Sequence, residues 1–498
     1  MRAALTRVRE LAERTPPTRD RFIDLLRAIS IIAVVLGHWL VSVVGYDEQG
    51  ELSGRSALPD LPWAFPITWA VQVMPIFFFV GGYANAASLT AERRRGGNAV
   101  EWLISRSGRL VRPTTTLVLV IAAGALAARL WDTDPSRVRL VAWFATIPLW
   151  FLVAYLTVVA LTPPMYALHR RYGLLVPLVL AGLVALGDVA RLTGRPLWGY
   201  GNYLFGWLAI HQMGFAWYDG RLPARPRVAL PLLLGGFAAL LLLTLAGPYP
   251  VSMINVPGER LHNMSPPSLA LIAVATAQLG AALLLRERGE RWLRRRTPWL
   301  VVVAVNTVIM VIFIWHISAA ILLAGALHFA GVLPTPEVGS PAWFAWRIPW
   351  LIMLSGVLAL LIMVFGRFEP GGARVTGRVR IALPEAPARV VARPATRLIL
   401  VIAGFVSVIY ALLSNSSFPD AAPAVYGLPE DALITYLGGA AILRLLRSVP
   451  RREQARSRAA APDGIGPSRP VDRPGAGPET GRPEDSGGRA AGHPGGDR

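Results

Sequence analysis

Twelve runs of apolar residues, each near the roughly 20 that a helix needs to cross the hydrocarbon core of a bilayer, punctuate this 498-residue chain. They lie near residues 22–45, 68–90, 113–130, 141–161, 174–190, 197–217, 228–247, 267–285, 299–325, 346–366, 398–414 and 429–446. Inside lipid each backbone amide needs a partner within the protein, and a helix supplies one from its own turns. With 54% hydrophobic and only 16% charged residues, against roughly 25% charged in a soluble domain, the expected fold is an all-α polytopic integral membrane protein.

The charges supply an orientation. The formal net charge is +20 and every cation is an arginine. Arg93 to Arg95 with Arg106, Arg109 and Arg112, then Arg170 and Arg171, Arg221 to Arg227, Arg286 to Arg296 and Arg367 to Arg397 fall in alternate loops. The intervening loops hold few arginines, and 46–66 carries Asp47, Glu48 and Glu51. Arginine favours the cytoplasmic side, so the pattern predicts both termini in the cytoplasm and an even number of spans. The basic charge then reads as a topology signal, and no nucleic-acid partner is expected. Cysteine is absent, which excludes disulfides and thiolate metal sites. The expected organisation is a cytoplasmic lead at 1–20, a transmembrane core at 21–366, an Arg-rich cytoplasmic loop at 367–397, two further helices at 398–446 and a disordered cytoplasmic tail at 447–498, whose Arg, Pro, Gly and Ala lack apolar rhythm.

The first span carries three polar residues that share one stripe. At about 100° per residue Arg27 and His38 fall within roughly 20° of each other and Asp24 within roughly 40° of His38, while the axial rise separates Arg27 from His38 by about 16 Å. Ionisable groups inside a span are costly and mark function by default. With Val34, Val35, Leu36, Trp39 and Leu40 around it, the His38 ring is expected neutral, with one nitrogen free to accept a proton. The competing reading for His38 is an interhelical hydrogen bond, and for Asp24 and Arg27 a surface ion pair at i, i+3.

A second cluster follows the next span, where Met74 to Tyr83 reads MPIFFFVGGY and Arg106 to Pro113 reads RSGRLVRP. Gly81 and Gly82 permit close helix packing, and Arg106, Arg109 and Arg112 repeat at i, i+3, a spacing suited to a phosphate-rich ligand and equally to positive-inside decoration. His316 lies within a span, His211 near a membrane boundary, and Asn263 with Ser265 just before a span in a Pro266-Pro267 turn. We see no His, Asp or Glu cluster of metal-binding spacing, no Walker-type phosphate loop and no Gly-x-Ser-x-Gly elbow.

These segments resemble membrane acyltransferase family three, which includes O-acetyltransferases of O-antigens, peptidoglycan and other glycans. The resemblance rests on Arg27, ten intervening residues and His38, on Phe77 to Tyr83, and on Arg106 to Pro113; Trp150 to Tyr155, Asn263 to Pro267 and Asn306 to His316 are similar to segments of actinobacterial members. It spans roughly residues 20–366, or ten helices, and leaves two C-terminal spans without counterpart. Gly81 also departs, standing where the family usually has a serine.

The resemblance implies an O-acyltransferase of the plasma membrane that moves an acyl group, expected to be acetyl, from cytoplasmic acyl-CoA to a hydroxyl of a glycan or glycolipid. It implies catalysis by His38, assisted by Asp24, and donor binding by Arg27, Arg106 and Arg109. His316, Asn263 and Ser265 are candidate acceptor-site residues. Acyl-CoA enters as substrate, no permanently bound cofactor or metal is expected, and the partners are acyl-CoA, the acceptor and membrane lipid. Two other classes stay open: a transporter or flippase of lipid or glycan with His38 in its path, and a scaffold working through its basic tail.

Overall fold

The computed structural model describes residues 2–16, 19–46, 50–366, 384–417 and 428–448. The expected tail at 447–498 lies almost wholly outside the described residues, as does 367–383 of the Arg-rich loop. The chain begins with α1 (Arg2–Glu13) and α2 (Arg21–Val41), and α2 starts where Asp20 accepts a hydrogen bond from the Ile23 amide at 3.1 Å. Directly after α2 the backbone turns into an antiparallel hairpin, β1 (Ser42–Tyr46) and β2 (Leu52–Ser56), with Val44 paired to Gly54. The hydropathy pattern hides this hairpin, because most of β1 falls inside the apolar run at 22–45, which ends as a helix at Val41, and β2 reads as an ordinary loop.

Helices α3 (Thr68–Val71) and α4 (Met74–Arg94) follow, then the 32-residue α5 (Ala99–Leu130), which carries the arginine cluster and the apolar 113–130 run on one continuous helix. Pro113 sits inside α5, where its missing N–H leaves the Arg109 carbonyl without its helical donor. The expected span at 141–161 divides into α6 (Pro135–Thr146) and α7 (Leu149–Tyr172), since Pro148 cannot continue the hydrogen-bond ladder. Next come α8 (Leu175–Leu192), α9 (Pro196–Gly199), α10 (Asn202–Tyr218), α11 (Pro226–Leu241) and α12 (Leu269–Leu293). The run at 299–325 also breaks, at Val308, into α13 (Arg296–Thr307) and α14 (Ile309–Phe329). The described chain closes with α15 (Pro341–Phe365), α16 (Glu385–Val391), α17 (Pro394–Ser417) and α18 (Glu430–Ser448).

Ten helices among the described residues are long and apolar enough to span a membrane, so the chain is an all-α polytopic membrane protein. The count differs from twelve at α10, which has 17 residues, and at α18, where Glu430, Asp431, Arg444 and Arg447 dilute a 19-residue helix. Helices α4 and α10 cross at two glycines. A Cβ on Gly82 would lie 2.1 Å from the His211 carbonyl oxygen, and one on Gly214 would lie 1.9 Å from that of Phe79, so only hydrogen at both positions permits this backbone approach. The pair α17 and α18 packs on α7 and α5, with Gly404 against Leu443.

The loop between α11 and α12 is tied down by buried polar contacts. Asp188 of α8 accepts from the Leu269 amide at 2.8 Å, from Asn202 Nδ2 at 2.9 Å, from the Tyr249 hydroxyl at 3.1 Å and from Arg191 at 3.1 Å. Burial, with the Asp188 charge added, pushes the Tyr249 phenol up, so it keeps its proton and remains a donor.

Candidate active site

His38 stands one turn from the end of α2, and α14 runs beside it. Its Nδ1 lies 2.7 Å from Nε2 of His316, with the two rings nearly parallel at 5° and their centroids 5.0 Å apart. His316 is fully buried, and its own Nδ1 lies 2.6 Å from the Phe313 carbonyl oxygen, one turn back on α14. A carbonyl oxygen only accepts, so His316 Nδ1 must carry hydrogen. In the neutral ring Nε2 of His316 then accepts, and the hydrogen bond requires His38 Nδ1 to donate. His38 Nε2 is thereby left as a lone-pair nitrogen able to take a proton. Beside this pair the Trp39 indole donates to the His316 carbonyl at 2.9 Å, fixing α2 against α14 at the same level.

The opposite end of α2 is an ionic cluster. Asp24 is 2.5 Å from Arg19 and 3.8 Å from Arg27, and the Asn306 amide donates to its backbone carbonyl at 2.9 Å. Fourteen residues separate Asp24 from His38, about 21 Å along a helix, so Asp24 acts on the arginines and does not reach the imidazole. Asp20, one position before α2, accepts from the Tyr83 hydroxyl at 2.9 Å and from Arg286 at 2.6 Å, joining α2, α4 and α12. Arg286 also lies over the Trp217 ring at 5.4 Å.

Arg106 is held from α4, donating to the Ala84 carbonyl at 3.0 Å and to the Ser88 hydroxyl at 2.5 Å. Arg27 and Arg109 lie within electrostatic range of it, so α2 and α5 contribute three guanidinium groups to one region of positive potential, which favours an anion. Half-exposed Arg27, at 38%, leaves its group open to a ligand. Tyr155 of α7 also faces Arg106, and its ring fills the space beside Gly81, where a Cβ would lie 2.8 Å from Cε2. The glycine at this position is therefore the counterpart of a tyrosine on the facing helix.

Between the two ends lies an aromatic layer. Phe78 stacks on Trp207 with centroids 4.2 Å apart, and Phe151 meets Phe77, Tyr155 and Phe313 at 5.6, 5.6 and 5.2 Å. Phe313 in turn neighbours His316 at 6.2 Å, which links the arginine end to the histidine pair through packed rings.

The other sequence candidates sit apart from this arrangement. Asn263 is buried and its amide is fully used inside its loop, donating to the Pro250 and Ser252 carbonyls at 2.8 and 2.9 Å and accepting from Ser268 at 2.6 Å. Ser265 pairs with the Tyr203 hydroxyl at 3.1 Å on the surface. Both build the loop that Asp188 anchors. His211 is buried against Asn85 Nδ2 at 3.1 Å, at the α4–α10 crossing. Sequence reading missed Asp20 and Ser88 and gave no site role to Tyr155 or Arg286, which it placed only in the Trp150 to Tyr155 segment and in a cytoplasmic arginine group; Asp20, an acidic residue just before an apolar run, carried a signal as a helix cap.

No curated protein and no solved structure shows significant similarity to this chain. The profile of the acyltransferase domain family matches residues 20–367, well over half of the chain and every element of the two clusters. With ten helices among its described residues long and apolar enough to span a membrane, the chain belongs to acyltransferase family 3 and is a multi-pass membrane acyltransferase.

Proposed function

We propose that the protein transfers an acyl group, acetyl by preference, from acyl-CoA on the cytoplasmic side to a hydroxyl of a glycan or glycolipid that arrives from the other face. The observation that carries this reading is the ordered pair of imidazoles, in which the Phe313 carbonyl fixes His316 and His316 fixes His38. His38 Nε2 takes the proton of the acceptor hydroxyl while its oxygen attacks the thioester carbonyl. The C–O bond forms, the C–S bond breaks, and the imidazolium returns the proton to the departing CoA thiolate, so the base is regenerated. Arg27, Arg106 and Arg109 hold the nucleotide phosphates, Asp24 positions Arg27, and about 16 Å of α2 between Arg27 and His38 is spanned by the extended pantetheine arm.

The test is thiol release from acetyl-CoA by purified protein in the presence of cell-envelope glycan acceptors. His38→Ala should lower turnover by about 10²- to 10⁴-fold, the range for a general base, while the protein still inserts and melts as wild type does. Undiminished turnover in that variant would overturn the mechanism. Movement of glycan or lipid across liposomes without acyl-CoA would favour a transporter instead.

A further inference from the structure

At the end of α2 away from the arginines, the hairpin strand Ser42–Tyr46, the 333–338 loop and the first turns of α15 enclose a cavity of about 350 Å³. That volume falls within the range of small-ligand pockets. Trp343, Trp346 and Trp350 repeat at three and four residues along α15 and give the cavity an aromatic wall, with Arg347 among them. The cavity is close to the base. Ser42 follows His38 by one helical turn, and its hydroxyl donates to the His38 carbonyl at 2.5 Å.

The polar groups of this wall are unbalanced. Arg347 is only 8% exposed, its guanidinium lies 4.5 Å over the Trp343 ring, and one Nη donates to the Ser42 carbonyl at 2.8 Å. Its Nε has no acceptor, and among the described residues no ion pair joins Arg347 to a carboxylate. The indole N–H groups of Trp343 and Trp350, 4% and 2% exposed, are likewise unpartnered. A buried cation without a counter-charge is unfavourable unless water, an ion or a ligand completes it, and Arg347 lines a cavity large enough for a ligand. What the wall lacks is a negative acceptor for Arg347.

We infer that this cavity binds a sugar unit bearing an oxyanion, either a carboxylate or a phosphate, as the recognised part of the acceptor. The inference rests on the reading of His38 as the base for an acceptor hydroxyl. The oxyanion meets the fork of Arg347, whose planar N–H pairs match carboxylate and phosphate geometry. The pyranose lays its C–H face on indole, which presents a negative π-surface to those hydrogens. Exposed Glu337 at the rim accepts from sugar hydroxyls. A neutral sugar stacks on the indoles and leaves Arg347 uncompensated; a cationic ligand is repelled.

The experiment is saturation-transfer NMR on the purified full chain in detergent with three probes, methyl β-glucuronide, glucose 1-phosphate and methyl β-glucoside. Wild type should bind at least one of the two anions about tenfold more tightly than the glucoside, the gain of one charge-assisted contact. Arg347→Gln should erase that preference, Arg347→Lys should keep it with weaker binding, and Trp350→Phe should weaken all three probes several-fold while leaving the preference. His38→Ala should bind as wild type does, so loss of acyl transfer and loss of binding are separable. Preference for the glucuronide identifies a uronic-acid glycan, and preference for the phosphate a sugar-phosphate headgroup. Equal binding of glucoside and anions by wild type, or a preference that survives in Arg347→Gln, overturns the inference. Should Arg347→Gln fail to fold because the Ser42 contact is lost, the wild-type comparison together with Trp350→Phe decides it.

Discussion

Replacing His316 by leucine tests whether the second imidazole works through the first. Leucine keeps an apolar, buried side chain of similar bulk in α14 and removes the acceptor 2.7 Å from His38 Nδ1. During transfer His38 becomes an imidazolium, and its bond to His316 becomes a hydrogen bond to a charged donor, worth about 1.5–3 kcal/mol. At about 1.4 kcal/mol per factor of ten, turnover should fall about 10- to 150-fold. The donor KM should move little, because Arg27 lies about 16 Å away along α2 and Arg106 and Arg109 belong to α5. Glutamine at this position offers both an acceptor oxygen for His38 and a donor amide for the Phe313 carbonyl, so His316→Gln should recover a large part of the loss. The assay is thiol release at saturating acetyl-CoA, with thermal melting of each variant alongside. Full turnover in His316→Leu, or a loss of the same size in His316→Gln, would refute the argument that a fixed tautomer matters.

Arg106→Ala should raise the KM for acyl-CoA about tenfold or more through loss of a charge-assisted phosphate contact, with the acceptor KM unchanged; equal effects on both substrates would remove Arg106 from the donor site. Asp24→Asn should alter donor KM and leave kcat within about twofold, since the carboxylate touches Arg19 and Arg27 and not His38; a collapse of kcat at saturating donor would show that distance to be bridged. Gly214→Ala should destabilise the fold by about 1–3 kcal/mol, because its Cβ would lie 1.9 Å from the Phe79 carbonyl oxygen, and a melting curve in detergent identical to wild type would contradict the packing.

The membrane class was readable because a span must announce itself over some 20 apolar residues, and the first-helix stripe was readable because helical geometry alone puts Arg27 and His38 on one face. What hydropathy does not carry is where one apolar run breaks. Pro148 and Val308 divide two runs that look continuous, and the second break sets off α14, the helix that carries His316 to His38. Contacts across long sequence separation were equally silent. His316 looked like a lone intramembrane histidine, and only its distance of 278 positions from His38, closed by the fold, turns two ambiguous residues into one device. Asn263 shows the opposite case: a polar residue beside prolines before a span reads equally as an acceptor-lining group or as a loop cap, and its three local partners absorb its amide within the loop. Arg347 passed unnoticed because it counts as one more charge at a span boundary until its lack of a counter-charge is seen.

The proposed reaction, with one substrate arriving from each side of the bilayer, makes a demand that soluble transferases never meet: the protein must remain impermeable while it works. The rings of Phe77, Phe78, Phe151, Trp207 and Phe313 occupy the level between the arginine cluster and the histidine pair, and Phe78 and Trp207 are fully shielded from solvent. A slender acyl chain can slip among aromatic faces, but a hydrated ion cannot shed its water there. In the proposed reaction, the same packed layer that a thioester threads to reach His38 doubles as an electrical insulator, so that an acceptor on the far face is acylated without discharging the membrane potential.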